Sequence, residues 1–337
     1  MGKGQKKSNF CDTKIPKKHL YISTYIIKMK SLPFFAKILL FGEYGIILDS
    51  RGLSIPCYFF KGVLKITKTN NDIISSSHLK LTEFRQSLKK IPKTLVGFDW
   101  RKINEDFSNN LYFDSNIPQG YGLGSSGALV AAFYDRYALN KINPQENLSS
   151  DKIALLKNIF AKIESFFHGT SSGLDPLNSY LGVPILIHSK DQIVSTPLPA
   201  ENIIGHGAVF LLDTGESGET EPMVSLFFEN MKKESFSNMM QNEFKTLTAS
   251  CIDDFIAGNV KSLFQNIKRL SLIILKHFSP MIPSEFHNIW RKGIETNGYY
   301  LKLCGSGGGG FILGFTQDLK ATKKTLVGHS LKVVYHF

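Results

Sequence analysis

The chain has 337 residues, and its 42% hydrophobic and 20% charged content is that of a globular protein large enough for two domains. It contains no uninterrupted apolar run of about 18 residues, so neither a membrane span nor a membrane partner is expected. Its four cysteines are widely spaced and lack C-x-x-C spacing, which indicates neither a disulfide framework nor a zinc site and fits a reducing cytoplasm.

The net charge of +12 is concentrated at the N-terminus. Residues 1–30 contain eight lysines and one aspartate, and therefore carry +7 of that charge. Short basic termini of this kind are mostly solvated, so we expect residues 1–30 to form a disordered tail. The rest of the chain carries only +5, which gives no reason to expect a nucleic-acid partner.

The first half of the chain mixes short apolar segments with polar ones. The patterns predict two strands within 34–48, around Gly42, then a strand within 57–67, a loop over 69–77 and a helix over 126–139. A longer helix is predicted over 151–167, with Ser150 as its cap. A strand over 183–188 closes a first domain, which we place at residues 31–195.

The second half begins with a buried strand over 208–212. Helices are then predicted at 222–234, 238–257, 260–277, 284–297 and near 318–327, and strands at 299–303, 310–315 and 331–336. This order of one strand, several helices, two strands, a helix and a strand is typical of an α+β domain. We place this domain at residues 196–337.

Residues 118–128 (PQGYGLGSSGA) carry the clearest chemical signal. Alternating glycines allow backbone conformations in which successive N–H groups converge on an anion, and the start of the following helix adds further N–H groups. Ser125 and Ser126 supply hydroxyls that could contact phosphate or magnesium. The alternative is a tight turn capped by a serine.

The same segment contains a literal G-x-G-x-x-G pattern at Gly122, Gly124 and Gly127. A dinucleotide-binding version would need a buried strand running into the first glycine. Residues 114–119 are instead polar and broken by Pro118. A different kind of phosphate loop is therefore the better interpretation.

Two further segments contain residues suited to catalysis or ligand binding. Glu164 lies near the end of the helix predicted over 151–167, and Asp175 follows a Gly/Ser turn, so that one carboxylate could hold a metal while the other accepts a proton. Taken singly, each fits a solvated helix residue or a turn residue equally well. Residues 302–310 (KLCGSGGGG) lie between two predicted strands, and their glycines indicate a close backbone approach to a ligand or another loop.

Three such motifs in this order resemble the galactokinase, homoserine, mevalonate and phosphomevalonate (GHMP) kinase superfamily over about residues 33–337. Residues 35–44 (FAKILLFGEY) resemble its first motif, residues 118–128 its phosphate loop and residues 302–310 its third motif. The segment 168–175 (HGTSSGLD) is similar to the mevalonate kinase branch, and 213–220 (DTGESGET) to that branch's substrate-side turn. The resemblance implies a first domain like ribosomal S5 domain 2 and a ferredoxin-like second domain, with ATP and the acceptor alcohol between them.

The resemblance also implies a role for each matching residue. Asp175 would be the catalytic base, with Lys37 beside it, and Ser126 and Glu164 would hold Mg²⁺. The residues implied to bind ATP are Pro118, Gly120, Gly122, Leu123, Gly124, Ser125, Ser126, Gly127 and Ala128. Those implied to lie on the substrate side are Glu43, Tyr44, His168, Thr220, Gly307 and Gly308. We expect Glu43 to orient the first motif or the acceptor.

Two departures concern the acceptor: Tyr44 stands where mevalonate kinases usually have histidine, and Gly218 where many have arginine. The function expected is phosphorylation of a small-molecule alcohol by ATP, with mevalonate as the favoured acceptor. The alternatives are a kinase for phosphomevalonate or a sugar, a catalytically silent nucleotide sensor and, more remotely, a nicotinamide-dependent oxidoreductase. The sequence leaves a homodimer open.

Overall fold

The structure is a computed structural model that describes residues 31–67, 72–146 and 148–337, with the backbone alone at 72–75. The basic tail predicted over 1–30 lies outside the described residues. Among the described residues, no helix is both long enough and apolar enough to cross a membrane.

The N-terminal part combines an antiparallel sheet with helices. Its strands are β1 (Phe34–Phe41), β2 (Gly52–Lys65), β3 (Tyr112–Ser115), β4 (Ile185–Ile187) and β5 (Ile193–Ser195). Its helices are α1 (Asp72–Leu88), α2 (Trp100–Ser108), α3 (Ser125–Tyr137), α4 (Ser150–His168) and α5 (Leu174–Leu181). The strand order is β1-β2-β4-β5, with β3 paired to another stretch of the long strand β2. Helices α3 and α5 pack together and against β1 and β2, which brings their N-termini close to β1.

The C-terminal part has a second antiparallel sheet. Its strands are β6 (Ala208–Asp213), β7 (Tyr300–Leu303), β8 (Phe311–Thr316) and β9 (Leu331–His336). Its helices are α6 (Thr220–Met231), α7 (Glu234–Met239), α8 (Lys245–Ile256), α9 (Val260–His277), α10 (Phe286–Thr296) and α11 (Leu319–Thr325), and a π-helical turn over Met240–Phe244 joins α7 to α8. The strand order β7-β8-β6-β9 is that of a ferredoxin-like domain with extra helices before its second strand. The α+β class is confirmed.

The first motif differs from the strand pair predicted there. Only β1 is extended, and Gly45–Leu48 forms a 3₁₀ turn. Gly42, Tyr44 and Asp49 all have positive φ, so the chain cannot continue as a strand beyond Phe41. The apolar residues after Gly42 fill a turn.

The predicted loop over 69–77 is wrong from residue 72 onward, where α1 begins. Its Leu81, Phe84 and Leu88 are buried at helical spacing, and the preceding serines are weak helix formers that do not stop a helix. Helix α4 is capped by Ser149, whose hydroxyl accepts from Lys152 N, and Ser150 is its first residue. The elements α2, β3, α5 and β5 were not predicted.

The two sheets are separated by residues 196–207, and this gap supports the proposed domain boundary near 195. Contacts join the domains behind the first motif. The Phe41 ring lies 6.2 Å from that of Phe255 and 5.5 Å from that of Phe315, measured between centroids. Arg51 makes two hydrogen bonds to the carboxylate of Asp253, at 2.7 and 2.8 Å. The start of β2 is thereby tied to α8.

The C-terminal sheet has no space for a side chain at Gly314 of β8. A Cβ there would lie 2.2 Å from Cζ of Phe210, a fully buried ring on β6. We predict that Gly314→Ala lowers the free energy of unfolding by about 1–3 kcal/mol, because the ring must move in a packed core. Urea denaturation measures this change. Gly97→Ala is the control, because its nearest neighbour would lie 3.5 Å away and the stability should stay unchanged. Equal stability of the two variants would contradict the packing argument.

Candidate active site

The glycine-rich loop before α3 has the conformation that its sequence favours. Gly120, Gly122 and Gly124 have φ values of 77°, 73° and 71°, and helix α3 begins directly after them at Ser125. These left-handed conformations turn the backbone repeatedly, and the helix start adds N–H groups without intrahelical partners. The arrangement suits an anion of several oxygens.

Strand β1 places Lys37 beside this loop. Its backbone N–H donates to the carbonyl of Leu123 at 3.0 Å, and its ammonium lies 3.1 Å from Oδ1 of Asp175. A Cβ on Gly124 would lie 3.1 Å from Oδ2 of Asp175 and 3.2 Å from Lys37 carbons. Glycine at 124 therefore allows the ion pair to sit directly against the loop.

The two members of this ion pair differ in exposure. The Lys37 side chain is 8% exposed, whereas that of Asp175, in the first turn of α5, is 36% exposed. Burial alone would lower the pKa of Lys37, but the charge and hydrogen bond of Asp175 outweigh it, so the pKa is raised above its ordinary value. Lys37 is thus a fixed cation, and Asp175 keeps a face open to a reactant.

A second group of polar side chains lies where α3 begins and α4 ends. The Ser126 hydroxyl donates to Oε1 of Glu164 at 2.9 Å and lies 3.0 Å from Nε2 of His168. The Ser171 hydroxyl donates to Oε2 of Glu164 at 2.5 Å. Burial, followed by the negative charge of Asp175, raises the pKa of Glu164 to about 7.

The donors at this position fit Mg²⁺. Mg²⁺ takes hard oxygen ligands and is commonly held by one or two carboxylates together with substrate phosphates. Ser126 and Glu164 offer a hydroxyl and a buried carboxylate, and within the described residues no lysine or arginine pairs with Glu164. The same part of the chain has no group of three or more His, Cys, Asp or Glu residues suited to a metal ion. Phosphate oxygens and water would have to complete the coordination.

Glu43 and Tyr44, both predicted on the substrate side, contact the C-terminal domain. Oε1 of Glu43 lies 2.5 Å from Nζ of Lys302, and the side chains are 5% and 1% exposed. The Tyr44 hydroxyl donates to the carbonyl of Ser306 at 2.6 Å. Its ring stacks on Phe227 at a centroid distance of 4.6 Å. Both residues hold the third motif in place.

Lys302 was not among the predicted site residues. The strand β7 reads YLKL and is buried throughout, so the sequence contained a signal: a lysine within a buried apolar strand requires a partner. Periodicity does not reveal which acidic residue supplies it, because Glu43 lies 259 positions away along the chain.

The third motif and the substrate-side turn meet the phosphate loop through backbone. All five glycines between 305 and 310 have positive φ. Gly218 N donates to Gly120 O at 2.8 Å, and a Cβ on Gly122 would lie 2.5 Å from Cys304 O. Three segments distant in sequence therefore pack with almost no side chains between them.

The remaining predicted substrate residues surround this junction. Thr220 is the first residue of α6 and accepts a 3.4 Å hydrogen bond from the Ser306 hydroxyl. Gly307 is buried, whereas Gly308 is exposed and donates its N–H to Met281 O at 2.7 Å. His168 lies apart from them, beside Ser126. The structure thus groups His168 with the predicted metal ligands.

Comparisons with known proteins agree with this architecture. Residues 90–182 match the family model for the GHMP kinases N terminal domain. The chain is 20% identical to a mevalonate kinase of Dictyostelium discoideum over 82% of this chain and 85% of that protein, and 23% identical to one of Archaeoglobus fulgidus over 84% and 91%. It superposes on L. major mevalonate kinase in complex with R-mevalonate with a TM-score of 0.60 and 17% identity, covering 89% of this chain and 90% of that one.

The fold and the site are those of a two-domain small-molecule kinase. The chain belongs to the GHMP kinase superfamily, and its curated relatives lie in the mevalonate kinase branch. The resemblance inferred from the three motifs is confirmed.

The raised pKa of Glu164 predicts an unusual pH dependence of stability. A carboxyl that titrates near 7 in the folded chain and at its model value of 4.5 in the unfolded chain destabilises the fold progressively as pH rises from about 4.5 to 7. We predict that Glu164→Gln, without Mg²⁺, has the stability of the parent near pH 4.5 and exceeds it at pH 8. Thermal melts across this range measure the difference.

Added Mg²⁺ supplies the control for this prediction. At pH 8 it should raise the melting temperature of the parent and leave that of Glu164→Gln unchanged, because the amide carries no charge to bind the cation. A stability difference that stays constant across the pH range would contradict the assignment of the raised pKa.

Proposed function

We propose that the protein is an ATP- and Mg²⁺-dependent kinase that phosphorylates the primary alcohol of mevalonate. The observation that carries this proposal is the Lys37–Asp175 ion pair, which lies against Gly124 at the end of the phosphate loop. An accessible carboxylate beside an anion-binding loop is what phosphoryl transfer to a hydroxyl requires. The curated relatives named mevalonate kinase, and the solved structure with bound R-mevalonate, support the choice of acceptor.

In this proposal Asp175 accepts the proton of the acceptor hydroxyl while its oxygen bonds to the terminal phosphorus of ATP, and ADP leaves. Lys37 keeps Asp175 ionised and stabilises negative charge on the transferred group. The backbone N–H groups of residues 118–128 hold the ATP phosphates. Ser126 and Glu164 would hold Mg²⁺, which supplies charge neutralisation on those phosphates.

The acceptor lies, in this proposal, between Asp175 and the third motif. Thr220, Gly307 and Gly308 line that side, whereas Glu43 and Tyr44 act by holding the third motif. A Cβ on Gly218 would lie 2.7 Å from Gly307 O, so a larger residue does not fit there without movement. An arginine is therefore replaced by a different means of recognising the carboxylate, for which the Thr220 hydroxyl and nearby backbone N–H groups are the candidates.

The proposal includes a cytoplasmic location, with no nucleic-acid or membrane partner. The described cysteines Cys57, Cys251 and Cys304 are all free and buried, which is compatible with a reducing compartment.

Replacement of the proposed base is the most direct mutational test. We predict that Asp175→Asn folds and binds Mg·ATP but loses about 10²- to 10⁴-fold in kcat, because an amide keeps the shape and cannot accept the proton. Steady-state kinetics with calorimetric nucleotide binding measure both parts. Asp114→Asn is the matched control, since Asp114 is a half-exposed carboxylate paired with Lys65 on β3. Near-normal turnover of Asp175→Asn would refute the role of the base.

The acceptor is tested by comparing kcat/KM for mevalonate, phosphomevalonate and galactose. We expect mevalonate to exceed the other two by at least about tenfold, the effect of roughly 1.4 kcal/mol in transition-state binding. A faster reaction with phosphomevalonate or galactose would keep the kinase assignment and change the acceptor. Binding of Mg·ATP without turnover of any acceptor would favour a nucleotide sensor.

A further inference from the structure

Four charged side chains of alternating sign run from the C-terminal sheet to the proposed base. Lys302 of β7 contacts Glu43 at 2.5 Å, Lys37 contacts Asp175 at 3.1 Å, and Lys37 and Glu43 interact electrostatically between these two pairs. The side chains of Lys302, Glu43 and Lys37 are each less than a tenth exposed. The row therefore lies mostly out of water, where charges interact strongly.

Lys37 lies within the field of two carboxylates and hydrogen-bonds to only one of them. Asp175 and Glu43 both raise the pKa of Lys37 against the effect of burial, and Asp175 contributes more. Glu43 is already engaged, because Lys302 donates to it and also to Leu303 O at 2.9 Å. Without Lys302, the nearest cation for the buried Glu43 would be Lys37.

No other charged group near the row can replace Lys302. Burial raises the pKa of Cys304 to about 12 and that of Cys57 to about 11, so both thiols are neutral at pH 7. Glu164, on the far side of Asp175, is another carboxyl and cannot neutralise Glu43. Within the described residues, the ion pairs of Glu43 and Asp175 involve only these two lysines.

We infer that Lys302 is a positioning residue for the proposed phosphoryl transfer: by engaging Glu43, it leaves the ammonium of Lys37 to Asp175 and to the transferred phosphoryl group. This inference rests on the proposed function. Lys302 acts through Glu43 and Lys37 and touches no reactant. Its consequence is that the C-terminal strand β7 helps to set the charge state of a base carried by the N-terminal helix α5.

The test compares Lys302→Gln, Glu43→Gln and the double variant. We expect Lys302→Gln to lower kcat by about tenfold or more, with KM for ATP and for the acceptor changed by less than about threefold, because Lys37 is drawn toward the unneutralised Glu43. The double variant should recover the kcat of Glu43→Gln alone, since a neutral residue 43 no longer competes for Lys37. Lys302→Met gives a second replacement if the glutamine variant does not fold.

Arg51→Gln is the matched control, because Arg51–Asp253 is also an ion pair between the domains but lies outside the row. It should lower stability and leave kcat unchanged. The inference is overturned if Lys302→Gln and Lys302→Met lose stability but keep the parental kcat, or if the double variant fails to recover the kcat of Glu43→Gln. These outcomes are distinguishable from failure of the proposed function, which would appear as normal turnover of Asp175→Asn.

Discussion

The ion pair between Lys37 and Asp175 is the interaction on which the rest of the site depends. It joins β1 to α5, and it is placed by two short-range constraints: the hydrogen bond from Lys37 N to Leu123 O and the lack of a side chain at Gly124. Because the lysine is buried and the aspartate is partly open, the pair combines a fixed positive charge with an accessible base. The neighbouring phosphate loop, Ser126 and Glu164 are useful for phosphoryl transfer only in relation to it.

The C-terminal domain completes this arrangement from the other side. The Glu43–Lys302 and Tyr44–Ser306 contacts bring the third motif onto the turn that follows β1. Breaking a buried ion pair by removing one partner leaves an uncompensated charge, at a cost of about 3–5 kcal/mol. The first motif therefore connects both domains, and residues predicted on the substrate side also have a structural duty.

Sequence reasoning predicted the motifs and their order, because glycine spacing and isolated charges within apolar segments have few structural explanations. It also predicted that Glu164 and Asp175 would come from adjacent elements. It missed α5, in which Pro176 occupies the first turn and is compatible with a helix, and it missed α1, whose serines resemble a loop. Lys302 escaped because its partner is distant in sequence, and His168 was placed on the substrate side because local sequence does not show which way the end of α4 faces.

The side-chain-free junction between residues 120, 218 and 307 also constrains how this chain can evolve. An arginine at 218 would have to displace the Gly307 carbonyl, and Gly307 itself has no room for a Cβ beside Met281 O. A single substitution cannot install an anion-binding side chain in the turn while the two neighbouring loops keep their positions. Changes of acceptor along this lineage therefore require coordinated substitutions in three segments, or must arise through residues such as Thr220 that border the junction without filling it.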